Sequence, residues 1–314
     1  MTASTLLPLF RELNDLKRIR VFTQEGSLAE RLFLRSWGRL VAGDSLVEVA
    51  LTETAHAVAA ARLAGIDAYV LERGGLPAAD RMDVLRAGFD AVAGPLDDAL
   101  QSSLRGRLRP EPVPQVDYEG LSETAPDGWP SFAIYLARQP RAGATRPGFR
   151  RVVLEPAESH ADHCGMVAVY GVLAAPLYGA DPALAFLTGL SHHLHNAYLP
   201  DAGDAGDVLL GDKLKPLMEV FRNKAIAELP EALHQPVRDA ISVVYQSDTP
   251  DAKAFQTADV LDRVLEMEWH ANSAAFTLSV ALEDMDIVHP GPVQAFQMEI
   301  MRQAGLMPSE SKLA

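Results

Sequence analysis

From Cys164 to Leu177 no residue carries a charge and only Tyr170 bears a hydroxyl, so a helix over this stretch has no face to give to water. It has to be buried on all sides, and the residues that open it are buried with it. Those residues are Glu158-Ser159-His160-Ala161-Asp162-His163, in which His160 and His163 stand three apart and share a helix face. A polar ring carried into an apolar interior needs a partner there, because burying it unpaired costs on the order of a few kcal/mol.

Partners of a suitable type follow downstream. Ser191-His192-His193-Leu194-His195-Asn196 closes a second apolar helix, and Asp259 sits in Thr257-Ala258-Asp259-Val260-Leu261-Asp262 on a third. Divalent metals in hydrolases need several hard or borderline donors on rigid elements, with a position left for water or substrate. His163, His192, His193 and Asp259 meet that requirement as one metal site for a divalent transition ion such as Mn²⁺, Co²⁺, Fe²⁺ or Zn²⁺. Asp262 reads as a surface or ion-paired carboxylate, and Cys164 as core packing. There is no Gly-x-Ser-x-Gly elbow, so serine nucleophile chemistry finds no support.

The chain has 314 residues, 48 % of them hydrophobic, which is enough for two cores. Its single cysteine excludes an intramolecular disulfide framework, and the opening Leu6-Leu7-Pro8-Leu9-Phe10 lacks the basic start of a secretory signal, so a cytoplasmic location is expected. No apolar run approaches the roughly 20 residues a bilayer needs, so no membrane partner is expected. Charge balances over residues 1–110, and the whole net charge of −14 falls on the remainder. That acidic segment repels polyanions, which argues against nucleic acid as a partner.

Residues 1–105 alternate short β-rich stretches with helical patterns. Ile19–Phe22, Leu46–Leu51, Asp67–Leu71 and Asp90–Ala93 read as strands, with a helix over Thr54–Ala64, and the expectation is a small α/β domain with a parallel sheet. Residues 106–146, which hold Arg109-Pro110-Glu111-Pro112-Val113-Pro114, read as a stiff linker with a short helix over Phe132–Arg138. Residues 147–314 read as all-α, with helices over Glu158–Leu173, Pro182–Asn196, Lys213–Glu228, Glu231–Tyr245, Ala252–Trp269, Ala271–Glu283 and Pro292–Ala304. The Met-rich last helix packs in the core or against a second copy of the chain, a possible homo-oligomer.

Ile66-Asp67-Ala68-Tyr69-Val70-Leu71-Glu72 and Ala87-Gly88-Phe89-Asp90-Ala91-Val92-Ala93-Gly94-Pro95-Leu96 resemble parts of response-regulator receiver domains. Glu72 stands where that family keeps its phospho-accepting Asp, and Gly94 where it keeps a Lys, so the resemblance implies a degenerate, non-catalytic receiver-like scaffold. The three histidine and aspartate segments resemble the HD superfamily of metal-dependent phosphohydrolases, most closely the branch containing 5′-deoxyribonucleotidases. Its Glu-Ser-x-x-Glu-His-type element falls on Glu158 to His163, its His-Asp doublet on His192-His193, and its late Ala-Asp element on Ala258-Asp259. The resemblance further places Asp201 at a catalytic Asp, Asn196 at the Glu that helps to activate water, and Arg150 or Arg151 on the substrate phosphate.

Two departures accompany this. His193 replaces the doublet's Asp, and a neutral imidazole still ligates a borderline metal. Asn196 replaces the Glu, and an amide cannot take a proton as a general base. The function implied is metal-dependent hydrolysis of a small phosphorylated molecule, nucleotides included. The alternatives are a regulatory or scaffold protein with lost catalysis and an HD-type di-iron oxygenase, for which His195 or His234 would have to add ligands.

Overall fold

The computed structural model describes residues 2–21, 26–111, 130–143 and 154–272. They hold thirteen α-helices and no strand longer than an isolated bridge, such as the antiparallel pairing of Pro140 with Ser159. The helices are α1 (Ala3–Asn14), α2 (Leu28–Val41), α3 (Leu46–Leu63), α4 (Ala68–Arg73), α5 (Ala78–Asp90), α6 (Asp98–Arg105), α7 (Ser131–Arg138), α8 (His160–Tyr178), α9 (Pro182–Ser191), α10 (Gly203–Leu210), α11 (Leu214–Ala227), α12 (Glu231–Val243) and α13 (Pro250–Asn272). Met1–Leu265 form one compact unit and Glu266–Ala314 a second, of which the last turns of α13 are described.

The expected α/β parallel-sheet, receiver-like domain is overturned: among the described residues Leu46–Leu51, Asp67–Leu71 and Asp90–Ala93 are helix or turn, and Ile19–Val21 is irregular chain with no more than an isolated bridge. Leu46–Leu51 is the first turn and a half of α3, because the alternation there is short and the Ala-rich run after it propagates one continuous helix. Asp67 caps α4, its Oδ1 accepting the Val70 amide at 2.9 Å, so the apolar stretch that follows starts a helix. Asp90–Ala93 is the end of α5 and its turn, and Ile19 and Arg20 follow the 3₁₀ turn Asp15–Lys17 without pairing as a strand. Local β-propensity is a weak prior, and packing decided otherwise.

The helices expected between residues 131 and 269 are present with shifted ends. The stretch expected as Pro182–Asn196 stops at Ser191 and continues as a 3₁₀ turn over Leu194–Ala197, which turns His193 off the helix axis. The helices expected over Ala271–Glu283 and Pro292–Ala304 lie outside the described residues, except for Ala271 and Asn272 in α13.

Buried throughout from His160 to Ala175, α8 is the central element and packs on α9, α2 and α7. Its first turn is held by a capping box. Ser159 Oγ accepts the Asp162 amide at 3.0 Å, and Asp162 Oδ2 accepts the Ser159 amide at 3.0 Å. Ser27, the N-cap of α2, donates its hydroxyl to the other Asp162 oxygen, so the two helix starts are tied together. Glycines set how close the neighbours come. A Cβ on Gly189 of α9 would stand 2.4 Å from the Ala168 nitrogen, and one on Gly165 of α8 would stand 2.7 Å from the Ala29 carbonyl oxygen.

Both contacts are with backbone, which has no rotamer to yield. Gly189→Ala should therefore lower stability by about 2 kcal/mol or more in urea unfolding, while Gly94→Ala, which meets nothing within 4 Å, should be close to neutral. Equal effects would contradict the close approach. A pH effect follows from His56 on α3, whose imidazole is pushed down to about 4 by burial, with Arg35 adding to burial and Glu53 opposing it. The folded chain then binds fewer protons than the unfolded chain between about pH 6.5 and 4, so stability is lost as the pH falls through that window. Replacing His56 by Leu should remove up to about 3 kcal/mol of that loss in unfolding curves taken at pH 7 and pH 4.

Candidate metal centre

His163 lies one turn inside α8, His192 just after α9 and Asp259 in the middle of α13. Fully buried, His163 brings Nδ1 within 2.7 Å of Asp262 Oδ2, one helical turn beyond Asp259. A carboxylate can only accept, so Nδ1 carries the proton and Nε2 presents its lone pair. His192 is fixed in the same way, its Nδ1 donating to the Gly189 carbonyl at 2.8 Å. The two bare Nε2 atoms then face each other at 3.1 Å. Two lone pairs at that distance repel unless a proton or a metal ion lies between them.

Asp259 completes the triangle. Its Oδ1 is 3.4 Å from His163 Nε2 and 4.0 Å from His192 Nε2. Three atoms at these separations share a point about 2.1 Å from each, the usual bond length from Zn²⁺ and related ions to imidazole nitrogen and carboxylate oxygen. Burial pushes the Asp259 carboxyl up, but neighbouring positive charge, including the Arg263 guanidinium 2.9 Å from Oδ2, holds it below the usual range and charged. His193 adds a third ring nitrogen, and one ligand atom from each of His163, His192 and His193 lies within 4.8 Å of the others. Its Nδ1 donates to Asn196 Oδ1 at 2.8 Å, which leaves Nε2 free as a donor of electrons.

Metal ligands must be unprotonated imidazoles, and burial prepares them. It pushes His192 down to about 3, with His163 adding to it, and holds His193 well below its usual value. Around the centre, His160 Nδ1 lies 3.2 Å from the Gln139 carbonyl, and its Nε2 faces Asp201 Oδ2 at 3.6 Å. Asp201 is fixed by the amides of Ala142 at 3.0 Å and Gly203 at 2.8 Å. Cys164 is core, and burial pushes its thiol well above the ordinary range.

A cleft of about 340 Å³ opens beside the triad, a size suited to a small molecule. His192, His193 and Asp259 lie in its wall with Asp201, Asn196 and Arg141. Of the residues singled out from sequence, His163, His192 and Asp259 form one triangle, His193 stands beside His163 and His192, and Asp201 and Asn196 share the cleft wall with His192, His193 and Asp259. Arg150 and Arg151 lie outside the described residues. Asn196 gives both polar atoms to structure, its Nδ2 donating to the Leu199 carbonyl at 3.1 Å.

Sequence reading did not find Arg141, Glu158 or Lys17 as neighbours of the site. The spacing put Asp262 on the helix face of Asp259 but read it as a surface or ion-paired carboxylate; it is ion-paired and fully buried. Nothing in the sequence links Lys17 to residues far along the chain. No protein-family model, curated protein or solved structure matches this chain.

Because Asn196 sets the tautomer of His193, Asn196→Ala should weaken metal binding about 10- to 100-fold in competition with a chromophoric chelator. Unchanged affinity would show that His193 does not need that bond.

Proposed function

We propose that this protein is a metal-dependent phosphohydrolase of the HD type, acting on a small phosphorylated molecule such as a nucleotide. The observation that carries the proposal is the triangle of His163 Nε2, His192 Nε2 and Asp259 Oδ1, whose separations suit one divalent ion at the edge of a small-molecule cleft. A divalent transition ion bound there supplies Lewis acidity and lowers the pKa of water.

The chain's own residues supply the rest. Asp201 is a rigidly held carboxylate in the cleft wall that accepts a proton from water, and His160 Nε2 lies beside it to receive or steady that proton. Arg141 and Arg263 line the cleft and provide positive charge for a phosphate, the role that the family resemblance assigned to Arg150 or Arg151. Met218, Tyr245 and Phe255 form an apolar wall for the remainder of the substrate. One observation favours a second reading, a regulatory protein without turnover: Asn196, at the position of the family's Glu, is bonded to His193 and Leu199 and has no basic group to offer.

Protein purified without chelator should carry one transition ion per chain and release phosphate from mononucleotides or p-nitrophenyl phosphate. His163→Ala and Asp259→Ala should lose both the ion and at least about a hundredfold in turnover, whereas Arg141→Met should mainly raise KM, by about tenfold. Ion without hydrolysis would favour the regulatory reading. No ion, and no thermal stabilisation by Mn²⁺, Co²⁺, Fe²⁺ or Zn²⁺, would refute the metal centre itself.

A further inference from the structure

Behind His163, on the side away from His192, lies a second group of donors. Glu158, His163 and Asp262 each offer one ligand atom within 4.8 Å of the others, a second cluster able to hold a metal ion. Lys17, on the 3₁₀ turn Asp15–Lys17, reaches into it. Its Nζ is 2.5 Å from Glu158 Oε1 and 2.7 Å from Asp262 Oδ1, and its side chain is 2 % exposed. Arg141 Nη1 stands 3.6 Å from the other Glu158 oxygen. His163 therefore sits between two places that attract a cation, one on Nε2 and one on Nδ1.

We propose that Lys17 is a positioning residue: its ammonium is the resident cation of the Glu158–His163–Asp262 cluster and thereby confines the metal ion to the Nε2 side of His163. The inference rests on the metal centre proposed above. Two carboxylates this deeply placed require positive charge, and a tethered ammonium supplies it without offering a coordination site. Held by Lys17, Asp262 keeps one oxygen for the Nδ1 proton of His163, and that bond fixes which nitrogen faces the triad. Without the ammonium, a divalent ion finds two carboxylates and an imidazole nitrogen together, a donor set it binds well. Lys17 thus couples the first helices of the chain to the ligand geometry.

The test is a double-mutant cycle read as Co²⁺ affinity and stoichiometry of the full chain. In native protein, Glu158 faces Lys17 and should not contribute to Co²⁺ binding, so Glu158→Gln should change affinity by no more than about threefold. In Lys17→Met, Co²⁺ should engage the uncovered cluster, either as an added ion or as a shifted one. Glu158→Gln in that background should then weaken Co²⁺ binding by about tenfold or more. Equal effects of Glu158→Gln in both backgrounds would overturn the proposal. Should Lys17→Met fail to fold alone, Co²⁺ should restore its helical circular dichroism, and failure to do so would likewise overturn it. Native protein that binds no Co²⁺ would overturn the metal centre and the confinement with it, whereas a native ion with equal Glu158→Gln effects in both backgrounds would overturn the role of Lys17 alone.

Discussion

The contact on which the rest of the site depends is the backbone-to-backbone approach of α9 to α8 at Gly189. No side chain separates Gly189 from Ala168. The same residue contributes the carbonyl that takes the Nδ1 proton of His192, so one glycine sets both the spacing of the helices and the tautomer of a ligand. The consequence is two imidazole nitrogens 3.1 Å apart, each with its proton fixed on the far side of the ring. Apolar packing around α8 holds that arrangement rigid, since this helix is buried on every face and has no room to turn.

The electrostatics are layered around the same ring. On one side of His163 are neutral imidazoles and Asp259, and on the other are Asp262, Glu158 and Lys17. Burial favours the uncharged imidazoles, which suits a cation arriving from solvent through the cleft. It also pushes the Glu158 carboxyl up, yet Lys17 and Arg141 hold it at about 2, so this carboxylate keeps its charge at neutral pH. An exposed ion pair contributes little, but removing one member of a buried group leaves the others uncompensated. The N-terminal helices are therefore part of the site's support through α2, α3 and Lys17.

The candidate ligand set was legible because it depends on local signals. A charge-free helix headed by His160 and His163, a His192-His193 doublet at the end of another apolar helix and an isolated Ala258-Asp259 are each visible in a few residues. The helices of residues 158–269 were legible for the same reason, their apolar spacing being regular. The first hundred residues misled because Leu46–Leu51 and Asp67–Leu71 are short, mostly apolar runs whose neighbours, an Ala-rich continuation and an Asp67 cap, outweigh their strand-like pattern. Lys17 and Arg141 were invisible as parts of the site, since their partners come from distant segments. Asn196 was read as a lost base, and its geometry makes it the residue that orients His193.

Anomalous diffraction from crystals grown with Co²⁺ tests the central claim most directly. The account predicts one principal peak within about 2.1 Å of His163 Nε2, His192 Nε2 and Asp259 Oδ1, with Lys17 still bridging Glu158 and Asp262. A peak on the Nδ1 side of His163, or no peak at the triad at saturating Co²⁺, would contradict it.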